Sequence, residues 1–146
     1  MKPVSAADLM SKTVISVSPL EPVSKVITIF QERRISAIPV VDTKNHLAGI
    51  VTKADVIDHA YAWGSAVISD AQTSPVQEAS LDDMEWSQAQ VREVMSPVLI
   101  TASPGASPLE LANIMKENDI HHIPITLEGK LVGIVSSIDL LKLLQP

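Results

Sequence analysis

No cysteine occurs anywhere in the chain, which excludes disulfides, thiolate nucleophiles and cysteine-held metals and makes a reducing compartment a natural setting. Aromatic residues make up only 3%, against 46% hydrophobic residues in all, so a core must be built from Val, Ile, Leu, Met and Ala. No apolar run approaches the length of a membrane span, and Met1-Lys2-Pro3-Val4-Ser5 lacks the apolar segment of a secretory signal. Positive charge is scarce: no Lys or Arg lies between Lys53 and Arg92, and the formal net charge is −6. That balance argues against a nucleic-acid backbone or an anionic membrane as the main partner. Catalytic patterns are missing too, since no glycine-rich phosphate loop and no Ser-His-Asp arrangement is recognisable. His121 and His122 are neighbours on an expected strand, where side chains alternate in direction, so the pair cannot chelate a metal as it stands. The expectation is a small cytoplasmic protein of one domain, or of two very small ones sharing a core.

What the chain does have is a repeat. Residues 8–42 align with 93–127 at a constant offset of 85, with ten of 35 positions identical, among them Met10, Ser11, Ser18, Pro19, Ile38 and Pro39. After the loss of one residue, 47–57 align with 131–141 at an offset of 84. So orderly a match marks a tandem duplication.

Each copy opens with a short helical lead-in, Ala6 to Met10 or Val91 to Met95. A strand is expected at Thr13–Val17 or Val98–Ala102, stopped by Ser18-Pro19 or Ser103-Pro104. A helix follows, with Val23, Val26, Ile27 and Phe30 at helical spacing, echoed by Pro108, Leu111, Ala112 and Met115. In the second copy Ser107, Pro108 and Glu110 supply an N-cap, a proline at the first helical position and the acid of a capping box. Two apolar strands around a polar turn come next, Ala37–Val41 with Leu47–Val51, and His122–Thr126 with Leu131–Val135. The last helix starts at Thr52 or Ser136, and in the first copy it is read as continuing through Tyr61 and Trp63 to Gly64. The order is β-α-β-β-α, twice: an α+β fold of two tandem units, 1–62 and 88–146, each a small three-stranded sheet with two helices. Two such units bury more when paired, which a duplication does with pseudo-twofold symmetry. Residues 63–87 form an acidic insert whose Ser69–Ser80 stretch has a loop's composition, and Asp82, Asp83 and Glu85 read as solvated acids rather than a metal site.

The segment Gly49-Ile50-Val51-Thr52-Lys53-Ala54-Asp55 returns as Gly133-Ile134-Val135-Ser136-Ser137-Ile138-Asp139. Each runs from a buried strand into a helix, with a hydroxyl at the N-cap and a carboxylate three residues on. That arrangement is an ordinary capping box. It is also a place where N–H groups, a hydroxyl and an acid converge on an anionic ligand bearing sugar hydroxyls. Both readings stand on the residues alone, and the repetition favours the second.

Two units of this order, each with an Ile-Pro strand and a Gly-apolar-apolar-Ser/Thr-x-x-Asp segment, resemble a tandem pair of cystathionine β-synthase (CBS) domains, the Bateman module. The resemblance implies a regulatory module that binds an adenosine-containing ligand (AMP, ADP, ATP or S-adenosylmethionine) in clefts between the units and passes its state to a regulated protein, here unidentified. By resemblance Asp55 and Asp139 match the acids that hold ribose, and Thr52 and Ser136 the hydroxyls that reach phosphate. Ile38-Pro39 and Ile123-Pro124, with Val14-Ile15 and Leu99-Ile100, match the slot for adenine. In nucleotide-binding members the phosphates are often gripped by basic residues before the strand proline of the opposite unit. The cleft of Thr52 and Asp55 would then face His121 and His122, with Lys53 nearby, and would be the phosphate site. CBS pairs also associate as homodimers through helix faces, for which Val56, Ile57, Tyr61, Leu140, Leu141 and Leu144 are the candidates. No catalytic role is expected; the alternative is a homodimeric interaction module whose ligand sites are empty.

Overall fold

The computed structural model describes residues 3–68, 85–97 and 100–145, with side chains of 64–68 left aside. Expectations that fall on Ser69–Ser80, Asp82, Asp83, Val98 and Leu99 lie outside these residues. The elements in order are α1 (Ala6–Leu9), α2 (Val23–Arg33), β1 (Ala37–Val41), β2 (Leu47–Thr52), α3 (Lys53–Ile68), α4 (Val91–Val94), β3 (Ser96–Pro97), α5 (Pro108–Asn118), β4 (His122–Leu127), β5 (Lys130–Ser136) and α6 (Ser137–Leu141). One-turn 3-10 helices at Glu85–Gln88 and Lys142–Leu144 precede α4 and extend α6. The α+β class and the two helix-flanked hairpins are those expected.

The described residues fall into two compact units, each named here for its hydroxyl. The Thr52 unit takes residues from 16–40, 48–68 and 85–97, and the Ser136 unit takes 3–15, 41–47 and 100–145. Each therefore includes the lead-in helix of the other repeat. In the Thr52 unit α4 is tied to the Ser-Pro turn by Val91 N–H donating to Glu21 O (2.8 Å) and Arg92 N–H donating to Pro19 O (2.9 Å). In the Ser136 unit α1 does the same at the matched positions, Ala6 N–H to Ala106 O (2.8 Å) and Ala7 N–H to Pro104 O (2.9 Å).

Why α2 and α5 form where they do is plain in their ends. The Ser107 hydroxyl accepts the Glu110 N–H at 3.1 Å and Pro108 opens α5. Both helices stop at a left-handed residue, Arg34 (φ 54°) and Asp119 (φ 52°), at matched places in the repeat. Val23, Val26 and Phe30 bury one face of α2. In α5 the buried line is Leu111 and Met115, whereas Ala112 is exposed, against the expectation that it lay on the core face. The core of the Thr52 unit joins these α2 residues to Val17, Ile38, Val40, Val51, Val56 and Val91. That of the Ser136 unit joins Ala6, Ala106, Leu111, Met115, Ile123, Ile125 and Val135.

The leading strands differ from expectation. Thr13–Val17 contributes a single parallel bridge, Val17 with Val40, and from 98–102 the described residues give only Ala102 with Ile125. Proline follows two residues after each bridge and has no N–H to extend a ladder. The third strand of the Thr52 sheet is instead β3, in the order β1-β2-β3, with Gly49 opposite Pro97 and Ile50 opposite Ser96. Ser11 makes the corresponding one-residue bridge with Ile134 beside the two-stranded β4-β5 sheet. The glycines of the repeated segment admit this pairing. A Cβ on Gly49 would lie 2.6 Å from Met95 Sδ and 2.8 Å from Ser96 O, and one on Gly133 would strike the Met10 side chain. Finally, α3 continues through Gly64 to Ile68.

Candidate ligand corner

In each unit a strand turns directly into a helix, and the hydrogen bonds at that corner are the same. Thr52 N–H donates to Asp55 Oδ2 (2.9 Å), and Asp55 N–H donates to Thr52 Oγ1 (3.1 Å). Ser136 N–H donates to Asp139 Oδ2 (2.8 Å), and Asp139 N–H donates to Ser136 Oγ (3.2 Å). Both are reciprocal capping boxes. The first helical N–H is also taken: Lys53 N–H donates to Ser36 O (3.1 Å), and Ser137 N–H donates to His121 O (2.9 Å). Of the first three helical donors at each corner, two are thus used inside the protein, and the second, on Ala54 or Ile138, is the one left over. The expected convergence of several free N–H groups is reduced accordingly.

What the capping bonds leave is one carboxylate oxygen and one hydroxyl proton per corner, and here the units part. Asp55 Oδ1 accepts from the Ser96 hydroxyl at 3.2 Å, whereas Asp139 Oδ1 accepts from Lys142 Nζ at 3.2 Å. Asp139 is the more enclosed acid, 8% exposed, and the Lys142 side chain is largely in water at 62%. Ser96 and Lys142 were not among the residues singled out from the sequence. Ser96 carried a signal, since it repeats Ser11, and Lys142 another, standing one helical turn after an acid.

The histidines divide. His121 is exposed and serves the corner through its carbonyl. His122 is half-buried and sits directly opposite Ser136 in the β4-β5 ladder. Burial holds its pKa below the ordinary imidazole value, His121 adds to that lowering, and Asp139 opposes it. Lys53, first in α3, is exposed. Of the residues matched to an adenine slot, Ile38, Pro39 and Ile123 are fully buried and Pro124 is buried, while Ile15 and Ile100 keep a partly exposed surface. Among the described residues no group of three His, Asp or Glu side chains is placed to hold a metal ion.

The model of the CBS domain family matches the chain twice, over residues 6–62 and 91–146. The chain belongs to the CBS domain family. CBS pairs are commonly regulatory, nucleotide-binding modules rather than catalysts. Among curated CBS relatives, the uncharacterised protein MJ1225 of Methanocaldococcus jannaschii is 26% identical over 94% of this chain, which spans only 41% of that protein's length. The CBS domain-containing protein YhcV of Bacillus subtilis is 29% identical over 93% of this chain and 82% of its own. The crystal structure of CBSX2 in complex with AMP shares the fold, with a TM-score of 0.74 at 17% identity over 96% of this chain and 95% of that one. No helix among the described residues is long and apolar enough to cross a membrane.

Proposed function

We propose that this CBS pair is a cytoplasmic regulatory module that binds an adenosine-containing ligand, such as AMP, ADP, ATP or S-adenosylmethionine, at its strand-to-helix corners. The observation that carries this reading is the duplicate corner. In both units a capping box fixes a carboxylate and a hydroxyl and leaves each with one hydrogen-bonding function to spare. Asp55 Oδ1 and Asp139 Oδ1 accept ribose hydroxyls, exchanging them for the present donors. The Thr52 and Ser136 hydroxyls, whose lone pairs already serve the helix, donate to phosphate. Ile15 and Ile100 retain apolar surface for the base, and the AMP held by CBSX2 on the same fold supports this ligand class. Sugar at Asp55 displaces the hydroxyl of Ser96, which follows α4, and so carries occupancy to the lead-in and on to a regulated partner protein. Calorimetry with the four ligands tests the reading. Asp55→Asn and Asp139→Asn should each weaken binding by about 1–3 kcal/mol, the scale of a hydrogen bond to a charged group. Unchanged affinity in both variants would reduce the acids to helix caps.

A second reading, an interaction module with empty sites, draws on two observations: both spare oxygens already have donors, and most of the matched adenine slot is closed. No melting shift with any of these ligands at millimolar concentration would favour it.

Either way we propose a homodimer through the last helix of each repeat. Ile57 (64% exposed), Tyr61 (75%), Leu141 (54%) and Leu144 (80%) present apolar surface there. Val56, expected on this face, is buried in the Thr52 core, and Leu140 packs on the Ser136 core. Consecutive residues diverge by about 100° around a helix, so one of each adjacent pair turns inward. A particle of 15.7 kDa by light scattering at micromolar concentration would rule the dimer out.

A further inference from the structure

The residue one turn beyond each corner acid has opposite charge in the two units. At the offset of 84 that aligns Asp55 with Asp139, Lys142 aligns with Asp58. Residues three apart share a helix face, so Lys142 lies over Asp139, as its 3.2 Å contact shows, and Asp58 stands on the face of Asp55. On the corner helices themselves, the remaining charged residue beside the acids is Lys53. Lys53 precedes Asp55 by two residues, about 200° around the helix, and therefore points away from that acid. Its counterpart is the neutral Ser137. His122, opposite Ser136, adds an imidazole to the corner of Lys142.

Resting on the reading of the corners as adenosine sites, we infer that Lys142 and Asp58 set the charge of the ligand each corner takes: a phosphorylated nucleotide at Asp139, and an uncharged or weakly charged adenosyl compound at Asp55. The reason is partner exchange. Sugar hydroxyls that take Asp139 Oδ1 release the Lys142 ammonium, which is mostly solvated and weakly held. A ligand with phosphates receives that cation, so charge pairing is kept. A bare nucleoside leaves it unpaired. At Asp55 the displaced donor is the neutral hydroxyl of Ser96, no cation is released, and the Asp58 carboxylate repels phosphate. This order is the reverse of that suggested by placing His121 and His122 opposite Thr52.

The test isolates each corner and varies only ligand charge. In Asp55→Asn, where the Asp139 corner remains, calorimetry compares adenosine with ATP, with and without Lys142→Asp. The preference for ATP over adenosine should fall about fivefold, with ATP affinity reduced and adenosine affinity not reduced, on the scale of an exposed ion pair. In Asp139→Asn, Asp58→Lys should raise the same preference by a similar factor. Both side chains are exposed, and melting temperatures of the same samples check that folding is unaffected. Equal loss of adenosine and ATP on Lys142→Asp, or no change in their ratio, would overturn the inference while leaving the adenosine reading intact. Failure of the unsubstituted protein to bind any adenosine compound would remove that reading, and the inference with it.

Discussion

Asp55 and Asp139 make the same reciprocal bonds with Thr52 and Ser136, yet the oxygen each has left meets a neutral hydroxyl in one unit and an ammonium in the other. The shared half of the motif is the half bonded to backbone. It satisfies donors that every helix start exposes, and so stabilises the corner whatever its outward chemistry. The half that faces outward has no such role and differs between the two copies. A corner of this kind therefore keeps its geometry while its chemistry changes.

The comparison is broken most forcefully at the glycines. Gly49→Ala should cost about 1–3 kcal/mol in denaturant unfolding, the usual scale of overpacking. Its new methyl meets both Met95 Sδ and the carbonyl of Ser96, which belongs to backbone. Gly133→Ala should cost less, because only the flexible Met10 side chain stands in the way. Double-mutant cycles sharpen the contrast. Met10→Ala should recover most of the Gly133→Ala loss, and Met95→Ala only part of the loss at Gly49. Equal recovery would show that the two lead-ins are seated alike.

A smaller difference separates the helices before the hairpins. Ser107→Ala should destabilise by about 1 kcal/mol, the typical worth of an N-cap hydroxyl. The matched Pro22 makes no side-chain cap bond, so the Thr52 unit has no equivalent to lose. An unchanged unfolding midpoint for Ser107→Ala would contradict the bond to Glu110.

The smallest effect is in pH. Folding lowers the pKa of His122 from its ordinary value of 6.5, so the unfolded chain binds the proton more tightly. Stability from this group is therefore present above pH 6.5 and is lost as the pH falls below it towards the folded pKa. Ala37 stands at the matched place in the first repeat and titrates nothing. Replacing His122 by Gln should flatten the acid side of the stability profile, while His121→Gln should remove only the minor part due to charge repulsion. Identical profiles for wild type and His122→Gln would show that the ring has no such role. On the inference that phosphate sits at the Asp139 corner, it favours the imidazolium of His122, so nucleotide affinity there should rise as the pH falls through 6.5 towards the lowered folded pKa.

Much of this was legible without coordinates. The duplication shows in the sequence compared with itself, and both hairpins and both corner helices rest on interactions between residues no more than a few positions apart. Periodicity, proline at a helix start and a hydroxyl three residues before an acid are all local signals, and the structure realises them apart from Ala112, which the period placed on the core face of α5 and which is exposed. Only the fold decided what remained. Ser96-Pro97 and Thr13–Val17 are short extended pieces with no apolar alternation of their own, and their pairing depends on which edge is within reach once the hairpins exist. Hence β3 joins β2, the leading strand shrinks to the Val17 bridge, and each lead-in helix seats in the unit of the other repeat. The rotation of α3 that buries Val56 and exposes Ile57 was settled likewise, by packing against the Val51 and Phe30 core. Partner choice for Asp55 and Asp139 belongs with these. Ser96 lies 41 residues from Asp55 in sequence, and only a folded chain brings its hydroxyl to that carboxylate.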